Sequence, residues 1–85
     1  MRIDFFLKTV GLFKARSEAK RALETGRVVA GGEPLEPSHP VVSGEEWSIR
    51  TATRSFRVLV LEVPSGKSVP RSERSRYIEI HEDPL

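Results

Sequence analysis

Residues 1–32 read MRIDFFLKTVGLFKARSEAKRALETGRVVAGG, and the change of period inside this stretch decides the fold. Ile3, Phe6, Leu7 and Val10 recur at i, i+3, i+4 and i+7, so the spacing predicts a helix over about residues 3–10 with one apolar stripe. Asp4 falls in its first turn, where a carboxylate favours the helix dipole, and Gly11 is placed to end it. Leu12 and Phe13 then anchor the connection. Ser17 is expected to cap a second helix, with Glu18 in the first turn and Gly26 as the stop. Ala19, Ala22 and Leu23 make its buried face small, which lets it sit close to its neighbour. Residues 12–16 are short enough to close an αα-hairpin.

After Gly26 the period falls to two. Residues 27–35 read as a tight hairpin turning at Gly31-Gly32. A loop over 37–40 and a turn at Ser43-Gly44 precede a strand over about 46–51. Residues 52–55 turn into the longest strand, 56–63, whose near-continuous apolar centre predicts an interior position. Residues 64–75 are rich in Ser, Pro and charge and read as a mobile loop. Tyr77-Ile78-Glu79-Ile80 alternates and reads as a last strand. The class is α+β with helices first, in one domain without repeats.

Composition narrows the function. A chain of 85 residues buries only roughly 60–65% of its unfolded surface, which leaves little room for a deep, water-excluding cleft. The longest apolar run, Val58–Leu61, cannot cross a bilayer, and Asp4 and Lys8 interrupt the N-terminal apolar stretch, unlike a secretory signal. With no cysteine there is no disulfide, iron–sulfur or thiolate zinc site. The expectation is a soluble cytoplasmic monomer without a membrane partner. The absence of Asn and Gln fits either a thermophile or a G+C-rich genome. Ten of the 14 basic residues are Arg, the side chain whose planar fork suits phosphate and stacks on bases.

The net charge of +2 hides an asymmetry. Residues 1–31 carry seven bases against three acids, net +4; residues 32–49 carry four Glu and no base, net −4; residues 50–57 return three Arg. One electropositive face is expected.

Catalytic chemistry finds little support. Gly66-Lys67-Ser68 resembles a phosphate-binding loop, but position 61 is Leu where that motif needs Gly, and Val69-Pro70 follows instead of a helix. His39 and His81 flank no nucleophile, Glu45 and Glu46 lie beside a turn, and His81-Glu82-Asp83 is a solvated cluster near the chain end. No catalytic residue, metal, cofactor or small-molecule substrate is expected.

The basic residues are another matter. Lys14, Arg16, Lys20 and Arg21 bracket Ser17 at the start of the second helix, where free N–H groups and the dipole attract phosphate. Arg2 stands at the start of the first helix, and Lys8 and Arg27 add to the same basic block. These eight residues are the RNA-binding candidates. Ordinary surface pairs, Arg2 with Asp4 and Lys20 with Glu24, are the competing reading. Phe5 lies outside the apolar stripe and either stacks on an unpaired base or packs under a loop. Phe13 and Trp47 read as core. Arg50, Arg54 and Arg57 form either a second basic patch or a solvated hairpin. Without Asn or Gln, no side-chain amide can read adenine, so phosphate and shape recognition is the expected mode.

Arg2-Ile3-Asp4, Phe6-Leu7-Lys8, Lys14-Ala15-Arg16-Ser17-Glu18-Ala19 and Gly26-Arg27-Val28 together resemble the ribosomal protein S4-type RNA-binding domain. Pro37-Ser38-His39-Pro40-Val41 and Gly44-Glu45 are similar to its second half. The resemblance implies the αL-motif fold, two N-terminal helices packed on a small antiparallel sheet, with the helix pair and following hairpin as RNA-binding face. It assigns residues 1–63 to the domain and 64–85 to a loop and C-terminal extension. The chain is most similar to short free-standing bacterial members, which act on large ribosomal subunits holding a nascent chain on tRNA, in heat-shock recycling and ribosome-associated quality control. The implied partners are rRNA or tRNA and the large subunit. A protein–protein adaptor and a regulatory RNA binder away from the ribosome are the alternatives. Phe5 departs from the family, which often has a basic residue there, as does Gly31-Gly32 from a frequent Asn-Gly turn.

Overall fold

Both apolar stripes fold as helices, α1 over Ile3–Thr9 and α2 over Arg16–Glu24, in a computed structural model that describes residues 1–66 and 68–83. Each stops just ahead of the glycine expected to stop it. Strands β1 (Val28–Ala30), β2 (Glu33–Pro34), β3 (Glu46–Arg50), β4 (Ser55–Val60) and β5 (Ile78–Glu82) follow, with a 3-10 turn over Arg71–Glu73 and a short α3 over Arg74–Tyr77 before β5. They form one antiparallel sheet in the order β2-β1-β3-β4-β5.

Gly31 and Gly32 have φ of 58° and 84°. Two consecutive left-handed residues make the turn whose twist matches a two-residue hairpin, and glycine adopts them without a Cβ penalty. Period-two alternation then puts one face of the sheet inward. Trp47 and Ile49 of β3 lie opposite Val58 and Phe56 of β4, and all four are buried. They meet the stripe of α1, in which Ile3, Phe6, Leu7 and Val10 are all buried. Phe6 and Trp47 touch edge to face, with centroids 5.7 Å apart and planes at 88°, an arrangement that contributes about 0.5–1.5 kcal/mol beyond burial. Ala19, Ala22 and Leu23 complete the core from α2.

Strand β4 is paired on both sides, as its apolar centre predicted. Three expectations need correction. Ser17 does not cap α2. Ala15 does, in extended conformation and with no side-chain cap, and its carbonyl accepts the Glu18 and Ala19 N–H groups. The helix starts earlier, and Arg16, its first residue, lies 3.4 Å from Asp4 of α1. Residues 64–75 are not all loop, and Tyr77 ends α3 instead of opening the strand. The segment also meets the end of α1: Val69 N–H donates to Thr9 O at 3.2 Å and Arg74 Nη1 to Gly11 O, just past the helix, at 3.5 Å. Phe13, expected in the core, is half-buried at its edge. Lys67, the lysine of the loop-like Gly66-Lys67-Ser68, lies outside the described residues.

Candidate nucleic-acid interface

Asp4 is the pivot. Its side chain lies in the second position of α1 and the residue is only 1% exposed, an unusual place for a carboxylate unless it is paired. Its Oδ1 accepts the Phe5 N–H at 2.8 Å and the Arg2 Nε–H at 3.3 Å. Its Oδ2 accepts from Arg2 Nη2 at 3.2 Å and lies 3.4 Å from Arg16 Nε. One buried carboxylate therefore orients two guanidiniums, one from the residue before α1 and one from the first residue of α2. Arg2 and Arg16 themselves stay about half exposed, at 51% and 48% for their side chains. The Arg16 guanidinium also lies over the Phe5 ring, 5.4 Å from its centroid, a cation–π contact. Arg16 is thus exposed but held. Phe5 is half-buried beneath it.

The two helix starts differ. Carbonyls of the 37–39 loop take the first N–H groups of α1, Ile3 N to His39 O at 2.8 Å and Asp4 N to Pro37 O at 3.3 Å. That loop is braced in turn, since Glu45 lies 2.6 Å from His39 Nε2 and accepts the Val42 N–H. The start of α1 is closed to a ligand. At α2, the N–H groups of Arg16 and Ser17 make no hydrogen bond among the described residues, and Ser17 is exposed beside them. This end remains open to an anion.

The other candidates scatter. Lys14 is exposed just before α2. Lys20 shares a shallow cleft with Arg2 and the 34–38 loop, and no Lys20–Glu24 ion pair forms. Arg21 and Arg27 line a separate groove with Phe13 and Arg50. Lys8 stands apart in the last turn of α1, where a cation complements the dipole. The 50–57 patch breaks up. Arg54 pairs with Glu82, and Arg57 lies 3.6 Å from Asp83 and 3.8 Å from Glu46. The same contacts disperse the His81-Glu82-Asp83 cluster, since His81 turns to Glu79 at 3.0 Å and Asp83 accepts from Ser55. Among the described residues no cluster of three or more His or acidic side chains could hold a metal ion, and no helix is long and apolar enough to cross a membrane. Sequence reasoning placed Asp4 correctly in the first turn but missed its burial; the signal was its place directly after a core residue, Ile3, on a helix with a narrow polar face.

Comparison with known proteins bears on the family and the fold. A family model described as "S4 domain" matches residues 1–46, just over half of the chain. A protein of Helicobacter pylori strain J99, named RQC P-site tRNA stabilizing factor, is 36% identical over 78 residues, covering 92% of this chain and 93% of that one. A protein of Halalkalibacterium halodurans with the same name is 33% identical over 86 residues, covering 100% and 96%. Among solved structures, the chain resembles a hypothetical protein, HP1423, determined in solution, with a TM-score of 0.80, 32% identity and coverage of 99% and 100%. The trimeric structure of Vibrio cholerae Heat Shock Protein 15 shares the fold, with a TM-score of 0.84, 21% identity and coverage of 94% and 80%.

Proposed function

This chain belongs to the S4 domain family, and we propose that it is a non-catalytic RNA-binding module that docks on structured rRNA or tRNA of a large ribosomal subunit still carrying a nascent chain. The name carried by its relatives points to tRNA in the P site as one element of that surface. The protein acts in the cytoplasm as a monomer and needs no cofactor. The observation that carries this reading is the pair of guanidiniums, Arg2 and Arg16, fixed by one buried Asp4 beside the open start of α2. Two cations on one anion leave a positive surplus facing solvent. Holding both forks before binding reduces the side-chain ordering that association would otherwise require. A phosphate seated there receives charge-assisted hydrogen bonds from either fork and from backbone N–H groups. Lys14, Ser17 and Lys20 flank that seat, while Arg21 and Arg27 extend the basic face and Lys8 adds charge at its far end.

Co-sedimentation with large ribosomal subunits at two or more salt concentrations tests this. With about four phosphates neutralised, log K falls against log salt with a slope of about −3 to −4. A salt-insensitive association points instead to a protein–protein contact and removes the reading.

A further inference from the structure

Between α2 and the adjoining ends of β1 and β3 lies an open groove of about 390 Å³, lined among others by Phe13, Glu18, Arg21, Arg27 and Arg50. Three of its features belong together. The β1–β3 register, Val28 opposite Ile49, continues to set Arg27 opposite Arg50, and the Arg50 N–H donates to Arg27 O at 2.9 Å. Like charges directly opposite on neighbouring strands destabilise a sheet. Among the described residues neither arginine, nor Arg21, has a carboxylate within ion-pair distance, a state shared only with Arg71 and Arg74, whereas Arg2, Arg16, Arg54, Arg57 and Arg76 all have one. Glu18 on the groove wall lies beyond that distance. The groove also exposes part of an aromatic ring, since Phe13 is only half-buried.

We propose that this groove takes a single unpaired nucleotide of RNA. Arg21, Arg27 and Arg50 hold its phosphate and relieve their mutual repulsion, while the base stacks on Phe13. The inference rests on the RNA-binding reading above and deepens it: the Arg2–Arg16 pair seats the phosphate backbone, and the groove, which runs along α2 from Glu18 to Thr25, receives a base that has left its helix. The volume is at the low end for a ligand pocket, enough for one nucleotide and too small for a duplex. The Thr25 hydroxyl is already committed to the Arg21 and Ala22 carbonyls, and the chain has no side-chain amide, so the groove tolerates any base. Stacking and phosphate contact without edge readout is the physics of sequence-neutral single-strand binding.

The test uses the full chain and two hairpin RNAs that differ only by one bulged nucleotide. The parent is expected to bind the bulged hairpin between about fivefold and one-hundredfold more tightly, whichever base is bulged. Arg50→Ala and Phe13→Leu should each remove that preference while leaving affinity for the paired hairpin nearly intact. Arg57→Ala, whose arginine is already paired with carboxylates, should keep it. Arg50→Ala should also melt no lower than the parent, because it ends the repulsion with Arg27. If Phe13→Leu melts much lower, Arg50→Ala alone decides. Equal affinity of the parent for the two hairpins, or a preference that survives Arg50→Ala, overturns the groove and leaves the RNA-binding reading standing. Failure of the parent to bind either hairpin at low salt overturns both.

Discussion

The start of the chain and the region around β4 and β5 both present arginines beside acids, yet they use them oppositely. At the start, Arg2 and Arg16 share one carboxylate, and that carboxylate is buried beneath them. At β4 and β5, Arg54 has Glu82, Arg57 has both Asp83 and Glu46, and nearby Arg76 has Glu62, all exposed except the half-buried Asp83. The first arrangement leaves uncancelled charge and fixes its direction. The second cancels charge pair by pair, in solvent, where such pairs contribute little. A count of basic residues does not separate the two regions; the number of acids per base and the depth of those acids do.

The largest effect should come from Asp4. Asp4→Ala removes the acceptor of the Phe5 N–H and leaves two neighbouring guanidiniums without their shared anion. We expect a stability loss of about 1–3 kcal/mol by denaturant titration, together with weaker RNA binding. A variant that keeps its stability would show that the buried carboxylate organises nothing. Next is Arg16→Ala, expected to weaken ribosome or RNA binding by about 1–3 kcal/mol, the range for hydrogen bonds to charged groups, with only a small change in melting temperature. Arg16→Lys should recover part of the binding, since a point charge cannot reproduce the fork. Full recovery would mean that charge alone is read. Smaller still is the change in salt dependence: Arg16→Ala should reduce the slope of log K against log salt by about 1, and an unchanged slope would place its contact off the phosphates. At the bottom come Arg54→Ala and Arg71→Ala, expected to bind like the parent. A clear loss in either would put the interface on the wrong side of the molecule.

The helices, hairpin and main strands were legible because each rests on a local period or turn: the 3.6-residue stripe from Ile3 to Val10, the double glycine at 31 and 32, the alternation around Trp47 and Val58. What the sequence hid was set by contacts between distant residues. Ser17 has the chemistry of a cap, but Arg16 reaches Asp4 and the helix begins two residues sooner than its capping signal. The 64–77 segment has loop composition, yet Val69 and Arg74 donate to the Thr9 and Gly11 carbonyls at the end of α1, contacts that no local pattern displays. For the candidate site, residue types were readable and partners were not. Arg2 and Arg16 come together through an acid that reads as a surface residue. Arg54 and Arg57 look equally free until β5 brings Glu82 and Asp83 beside them, a pairing across 28 and 26 positions that no local pattern displays.

The most direct test sets Arg16→Ala against Arg57→Ala in the same sedimentation assay with large ribosomal subunits at low salt, with melting curves for both. Both remove one half-exposed arginine and one positive charge. The account predicts that Arg16→Ala releases most of the bound protein, that Arg57→Ala sediments like the parent, and that both melt close to it. Equal losses in the two variants would mean that only net charge matters, and would contradict the claim that a buried aspartate builds the interface.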